Sequence, residues 1–206
     1  MSAEENPGRP GGPALPGAGR RRYAQNPKPI GSPVSFVLEG DRLSVETGRK
    51  TFDLRLSAVE EVRMTYEPGR MSRRVYRTRL RMKDGRTVTF TSLNWKSLME
   101  AQELGPAYRA FAGSLFRAVA EASPGARFVA GQPRWRWGLT AGIAVGCLLA
   151  MAVLVWRALQ GGATSLALMA VLLAAIGIWQ LEPMVRLNRP RPFGPDRPPP
   201  ELMPSS

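Results

Sequence analysis

Two apolar runs, back to back and free of charge, decide what this chain can fold into. Trp137 to Trp156 reads WGLTAGIAVGCLLAMAVLVW, and a second uncharged run extends from Ala158 to Leu181. A helix of about 20 residues is about 30 Å long, the thickness of a bilayer's hydrocarbon core. The absence of a polar stripe along both runs disfavours core helices of a soluble protein. Arg157 and Gly161-Gly162 leave room between them for a tight turn only. The expectation is a two-helix transmembrane hairpin within residues 132–183, with spans near 137–157 and 162–181.

Orientation follows from the flanking cations. Arg127, Arg134 and Arg136 precede the first run, Arg186, Arg189 and Arg191 follow the second, and the turn has only Arg157. Excess arginine marks the cytoplasmic side, so both termini are expected in the cytoplasm. Trp135, Trp137, Trp156 and Trp179 fall where an interfacial belt is expected. Gly138, Gly142, Gly146 and Ala150 recur every fourth residue, and the second run offers Ala170, Ala174 and Gly177. Small residues in such a row let another backbone approach closely. The reading favoured here is contact within the hairpin, with homodimerisation or a membrane protein partner as the alternative.

Residues 34–131 read as a separate α+β unit. SFVLEG, RLSVET, KTFDLRL, AVEEVRMTY, RVYRTRLRMK and RTVTFTS alternate in strand fashion, divided by turn signals at Gly40-Asp41, Thr47-Gly48 and Asp84-Gly85. A helix follows, with Pro106 in its first turn and Tyr108, Phe111, Leu115, Val119 and Ala122 on one face. That face should cover the open end or face of the sheet.

Consecutive antiparallel strands followed by one amphipathic helix resemble the pleckstrin-homology-like fold. The likeness rests on FVLEGDRLSVETGRKTFDLRLSAVEEVRMTY, RTRLRMKDGRTVTF and YRAFAGSLFRAVAEA. With the hairpin added, the chain is similar to uncharacterised bacterial membrane proteins that carry a PH-like domain. The resemblance implies an antiparallel β-barrel or sandwich closed by a C-terminal helix, serving as a scaffold for lipid, peptide or protein, and it assigns no reaction. Six strands are legible where the fold has seven, so the seventh is expected between Lys50 and Tyr66 or is missing. In relatives that bind phosphoinositides the basic residues surround the first strand-to-strand loop, and Glu39-Gly40-Asp41, in that place here, is acidic.

The net charge of +13 is concentrated in one stretch. Arg70, Arg73, Arg74, Arg77, Arg79, Arg81, Lys83 and Arg86 lie close together, with Asp84 the one acid among them. In a strand, Arg77, Arg79, Arg81 and Lys83 share a face opposite Tyr76, Thr78, Leu80 and Met82. Such a strip could contact anionic lipid headgroups, where each cation adds about 1 kcal/mol. The favoured reading is a solvated face paired with Glu61 and Glu67 of the preceding strand, ahead of lipid contact and then of a protein partner. Nucleic acid is the weaker alternative, since no recognition motif accompanies the charge.

The chain has no histidine and one cysteine, Cys147, inside an apolar run. His-based catalysis, a disulfide framework and a thiolate metal cluster are therefore excluded as readings. No nucleophile, phosphate-loop or metal motif is present, so neither catalysis nor a cofactor is expected. Residues 1–33 and 184–206 are rich in Pro, with Gly and Ala in the first and Arg in the second, and both read as disordered tails. The Arg, Ala, Gly and Pro bias suggests a GC-rich bacterial genome. The expected whole is a non-enzymatic binding or scaffolding module, multi-pass in the bacterial inner membrane, with a lipid sensor as the alternative.

Overall fold

A computed structural model describes residues 19–48, 50–68, 74–98 and 100–204. It is a mixed α+β structure. Strands β1 (Arg21–Gln25), β2 (Val34–Glu39), β3 (Arg42–Thr47) and β4 (Lys50–Arg55) form an antiparallel meander. A 3-10 turn, Leu56–Ala58, leads into β5 (Val59–Pro68), β6 (Arg74–Met82) and β7 (Thr87–Thr91), the antiparallel part of a second sheet. A small ladder of β8 (Leu93–Trp95) and β9 (Ala101–Glu103) precedes helix α1 (Gly105–Ala122).

The helix face expected from the apolar spacing is the one buried. Tyr108, Phe111, Leu115 and Val119, joined by Ala112 and Phe116, pack on the inner faces of both sheets. Tyr23, Phe36, Phe90, Tyr108 and Phe111 form one aromatic cluster, with Tyr23 and Phe111 stacked at 5.4 Å between ring centroids. Thr78 Oγ1 and the Tyr108 hydroxyl share a buried hydrogen bond of 2.6 Å, which ties α1 to the middle of β6.

The sheets form two layers and do not close into a barrel. Side chains bridge the β1–β7 seam instead of a backbone ladder. Tyr23 Oη donates to the Thr91 carbonyl at 2.5 Å, and the Thr91 N–H donates to Gln25 Oε1 at 2.7 Å.

Both tail assignments are corrected. Strand β1 lies within the stretch expected to be disordered and buries Tyr23 and Gln25, while residues 1–18 lie outside the described ones. At the other end, β11 (Arg191–Pro192) pairs antiparallel with β10 (Arg127–Ala130), and the 3-10 turn Pro200–Leu202 buries Leu202 and Met203 in the core. Composition misleads here because neither segment builds a core of its own; each drops a few apolar side chains into one already formed. Proline also lowers the ordering cost by restricting the unfolded chain.

The domain boundary at residue 131 is corrected for the same reason. The second sheet runs β11-β10-β5-β6-β7, with β10 parallel to β5. Helices α2 (Arg134–Gln160) and α3 (Thr164–Leu187) are inserted between the neighbouring strands β10 and β11. Chain from both sides of the hairpin therefore belongs to the sheet domain. Asn188 locks the junction: its Nδ2 donates to the Tyr66 carbonyl at 2.9 Å, and its Oδ1 accepts from the Tyr66 N–H at 3.0 Å. Trp137 Nε1 donates to the Val185 carbonyl at 2.8 Å. Gly131 has a φ of +83°, and a Cβ there would overlap the backbone of Asn188 and Arg189.

Both helices are long and apolar enough to cross a membrane, and most of their large apolar side chains are exposed. The seam on α2 follows Trp137, Ala141, Ala144, Met151, Val155 and Ala158, and that on α3 follows Ala167, Ala170, Ala174, Gly177, Leu181 and Met184. These steps of three and four keep a 3.5-residue repeat in register between two helices. Buried Ala170 and half-buried Ala174 and Gly177 of α3 thus follow the seam, although a Cβ on Gly177 would meet nothing within 4 Å. Those of α2 do not, which corrects the within-hairpin reading. Gly138, Gly142, Gly146 and Ala150 are exposed, and a Cβ on any of the three glycines would meet nothing within 4 Å. A four-residue repeat drifts off a 3.5-residue seam, and the stripe ends on the outside.

Candidate functional site

The described part of the basic strip is β6 and the turn after it; Arg70 and Arg73 lie outside the described residues. β6 alternates as expected, with Tyr76, Thr78, Leu80 and Met82 buried and Arg77, Arg79 and Arg81 on the outer face. Register brings Thr65, Arg63 and Glu61 of β5 opposite these three arginines.

Half of the strip's six described cations are paired with acids. Arg77 pairs with Glu67 at 2.7 Å, Arg81 with Glu60 at 3.0 Å, and Arg86 with Asp84 at 2.7 Å. Lys83 Nζ donates to the Ser57 carbonyl at 3.1 Å. Arg127 of β10 joins the same carboxylates, 3.4 Å from Glu60 and 3.3 Å from Glu61. The irregularity between Val59 and Glu61 lets both neighbouring acids reach cations on this face. Alternation alone would have sent them to opposite faces. Exposed pairs of this kind are each worth about 0–1 kcal/mol, so they orient side chains more than they stabilise the sheet.

Among the described residues of the strip, Lys83 is held by a carbonyl and not by an acid, and of the arginines Arg74 and Arg79 have no acidic partner. Both lie toward the hairpin. β10 leads into α2 within four residues, β5 runs parallel to β10, and β6 runs antiparallel to β5. Arg74 therefore starts β6 at the hairpin end, while Met82 ends it roughly 30 Å further along. A small pocket beside the start of α2 brings Arg79 together with Arg63, Arg136, Thr65 and Gln132.

A larger cavity of about 710 Å³ lies between the C-terminal end of α3, the start of β6, α1 and the C-terminal segment. Arg74 of β6 and Arg109 of α1 line it, and α3 contributes Ala175, Ile178 and Trp179 and, further along the same helix, Arg186. Arg109 escaped sequence reasoning because it is an isolated cation on α1. Only the return of the C-terminal chain places it in a cleft, with its Nη2 donating to the Pro204 carbonyl. Glu201, in the same segment, pairs with Arg191 at 2.6 Å. A hydrogen bond from its own backbone, together with Arg191, holds its carboxyl below the ordinary range.

The loop Glu39-Gly40-Asp41 takes a new place once β1 is known. It joins the second and third strands, and the first strand-to-strand loop is residues 26–33, whose one cation is Lys28. Gly40 there has a φ of +58°, as a tight hairpin turn requires. No protein-family model and no curated protein sequence matches this chain.

Proposed function

We propose that this chain is a membrane-anchored, non-enzymatic binding or scaffolding module, a PH-like domain held at the cytoplasmic face of a bacterial inner membrane by a transmembrane hairpin. The observation that carries the reading is the splice of the hairpin between two neighbouring strands of one sheet. A domain joined to its anchor by hydrogen bonds on both strands is held close to the bilayer, not tethered on a long linker. Support for PH-like topology comes from two antiparallel meanders, β1–β4 and β5–β7, followed by α1, with β1 as the strand missing from the sequence count. The cytoplasmic assignment rests on the arginines flanking both helices.

Such a fixed domain presents its outer sheet face and the free edge of β4, where Phe52 is exposed, to a protein partner. The test is photocrosslinking in cells from Phe52, Thr87 and Arg79, one position at a time in the full chain. A discrete protein adduct at one of these positions is the expected result. Absence of adducts at all three would overturn the module reading.

Lipid sensing by the strip is the second reading, favoured by the unpaired Arg74 and Arg79 and weakened by the acids that consume Arg77, Arg81 and Arg86. Lipid adducts alone from the Arg79 position would favour it. Nucleic acid has no comparable observation behind it.

A further inference from the structure

The geometry points to a built site for one anionic phospholipid of the inner leaflet, in the cleft between α3, α1 and β6. The inference rests on the reading that the hairpin spans the membrane, and it goes beyond the strip, of which it uses Arg74 alone.

Four observations converge on the cleft. Its volume of about 710 Å³ has room for a headgroup and the first part of an acyl chain. Its lining is of two kinds. Ala175, Ile178 and Trp179 of α3 give an exposed apolar part, and Trp179, 75% exposed, is the most exposed large apolar residue of the hairpin. Arg74 of β6 and Arg109 of α1 give the cationic part, and Arg186 lies on α3 itself, beyond the apolar residues. Ile178 and Arg186 are separated along the helix axis by about 12 Å, which matches the step from upper hydrocarbon to the headgroup layer.

The charges in the cleft are not balanced by the protein. Glu182 is neutralised by Arg186 at 2.6 Å, and Glu201 by Arg191 at 2.6 Å. Arg74 and Arg109 have no carboxylate partner among the described residues. Arg109 is the sharper case, because its Nε is buried without any hydrogen-bond partner. Arg77 and Arg81 also have an unpartnered Nε, but their other nitrogens reach carboxylates. Arg109 is half-buried, its Nη2 is held by the Pro204 carbonyl and its Nε has no partner, so an anion would complete its hydrogen bonding, and its planar fork suits a phosphate. A phosphodiester between Arg74 and Arg109, with its acyl chain along Ile178, supplies the missing charge and covers the apolar wall. Free phosphate supplies only the charge.

The test is native mass spectrometry of the full chain, released from nanodiscs of phosphatidylcholine with and without phosphatidylglycerol. One retained phosphatidylglycerol per chain is expected, in preference to phosphatidylcholine. Arg74→Glu combined with Arg109→Gln should lower that retention on the order of tenfold, since each cation near an anionic surface contributes a severalfold factor. Arg86→Glu, at the far end of the strip, should not. Ala175→Trp fills the apolar wall without touching the arginines, and it should also expel the lipid, so it decides the matter if the double variant fails to fold. Glycerol phosphate in excess should leave retention unchanged. Equal retention of the two lipids, equal loss in the Arg86 variant, full retention in Ala175→Trp, or displacement by glycerol phosphate would overturn the site. Release of the chain from membranes by alkaline carbonate would instead overturn the membrane reading beneath it.

Discussion

Asn188 does the work of a strand partner with one side chain. Its amide satisfies both the N–H and the carbonyl of Tyr66 and is buried while doing so. Asn188→Ala leaves both backbone groups without partners, at a cost of about 2–4 kcal/mol from two buried unsatisfied groups. Thermal unfolding of the full chain in detergent should show the loss as a lower midpoint, and Asn188→Asp should not restore it, since it keeps the acceptor and loses the donor. Tyr23 and Tyr108 behave differently. Burial pushes both phenols above their ordinary value of 10.0. The folded state therefore keeps these protons where the unfolded state releases them. Their contribution to stability is complete below pH 10 and declines as pH rises above it. Tyrosinate absorbance from these two residues should appear only with unfolding; a smooth titration in the folded protein would contradict their burial.

At the scale of elements, the hairpin offers a clean contrast between two small residues. Ala170 is buried against α2, and a larger side chain there must push the helices apart. Ala170→Leu is expected to destabilise the hairpin by about 1–3 kcal/mol through overpacking. Gly142→Leu points outward into open space and should change monomer stability by no more than about 0.5 kcal/mol. Thermal unfolding of both variants in detergent checks the pair, and equal losses would mean that the seam is misassigned. If Gly142→Leu alters oligomer size while leaving the monomer intact, the stripe is the face for a second copy.

For the whole molecule, the decisive feature is that the hairpin is an insertion. The Gln132 N–H donates to the Asn188 carbonyl at 3.0 Å, so the two ends of the excursion meet. Replacing residues 134–187 with a short turn should therefore leave a soluble, cooperatively folding domain. A fragment confined to residues 34–131 should fail, because it lacks β1, β11 and the segment that buries Leu202 and Met203. Circular dichroism and thermal melts of the two proteins settle the point. A folded short fragment would show that the terminal segments are accessory.

Periodicity made the strands, α1 and the hairpin legible, because each period reports a local geometry: two for β2 to β7, near 3.6 for α1, and an unbroken apolar run for α2 and α3. Charge alternation likewise gave the outer face of β6. The sequence did not reveal β1, Asn188, Arg109 or the buried C-terminal chain. Their signal is not local: a proline-rich segment becomes ordered only when another part of the chain supplies the groove. A glycine stripe, too, has no preferred side until the partner helix fixes the seam. The sequence by itself determined most of the elements and the two long apolar helices. Only the tertiary structure decided which segments complete the sheet, which arginines find acids and which are left facing the cleft, since burial and pairing depend on residues distant in sequence meeting in space.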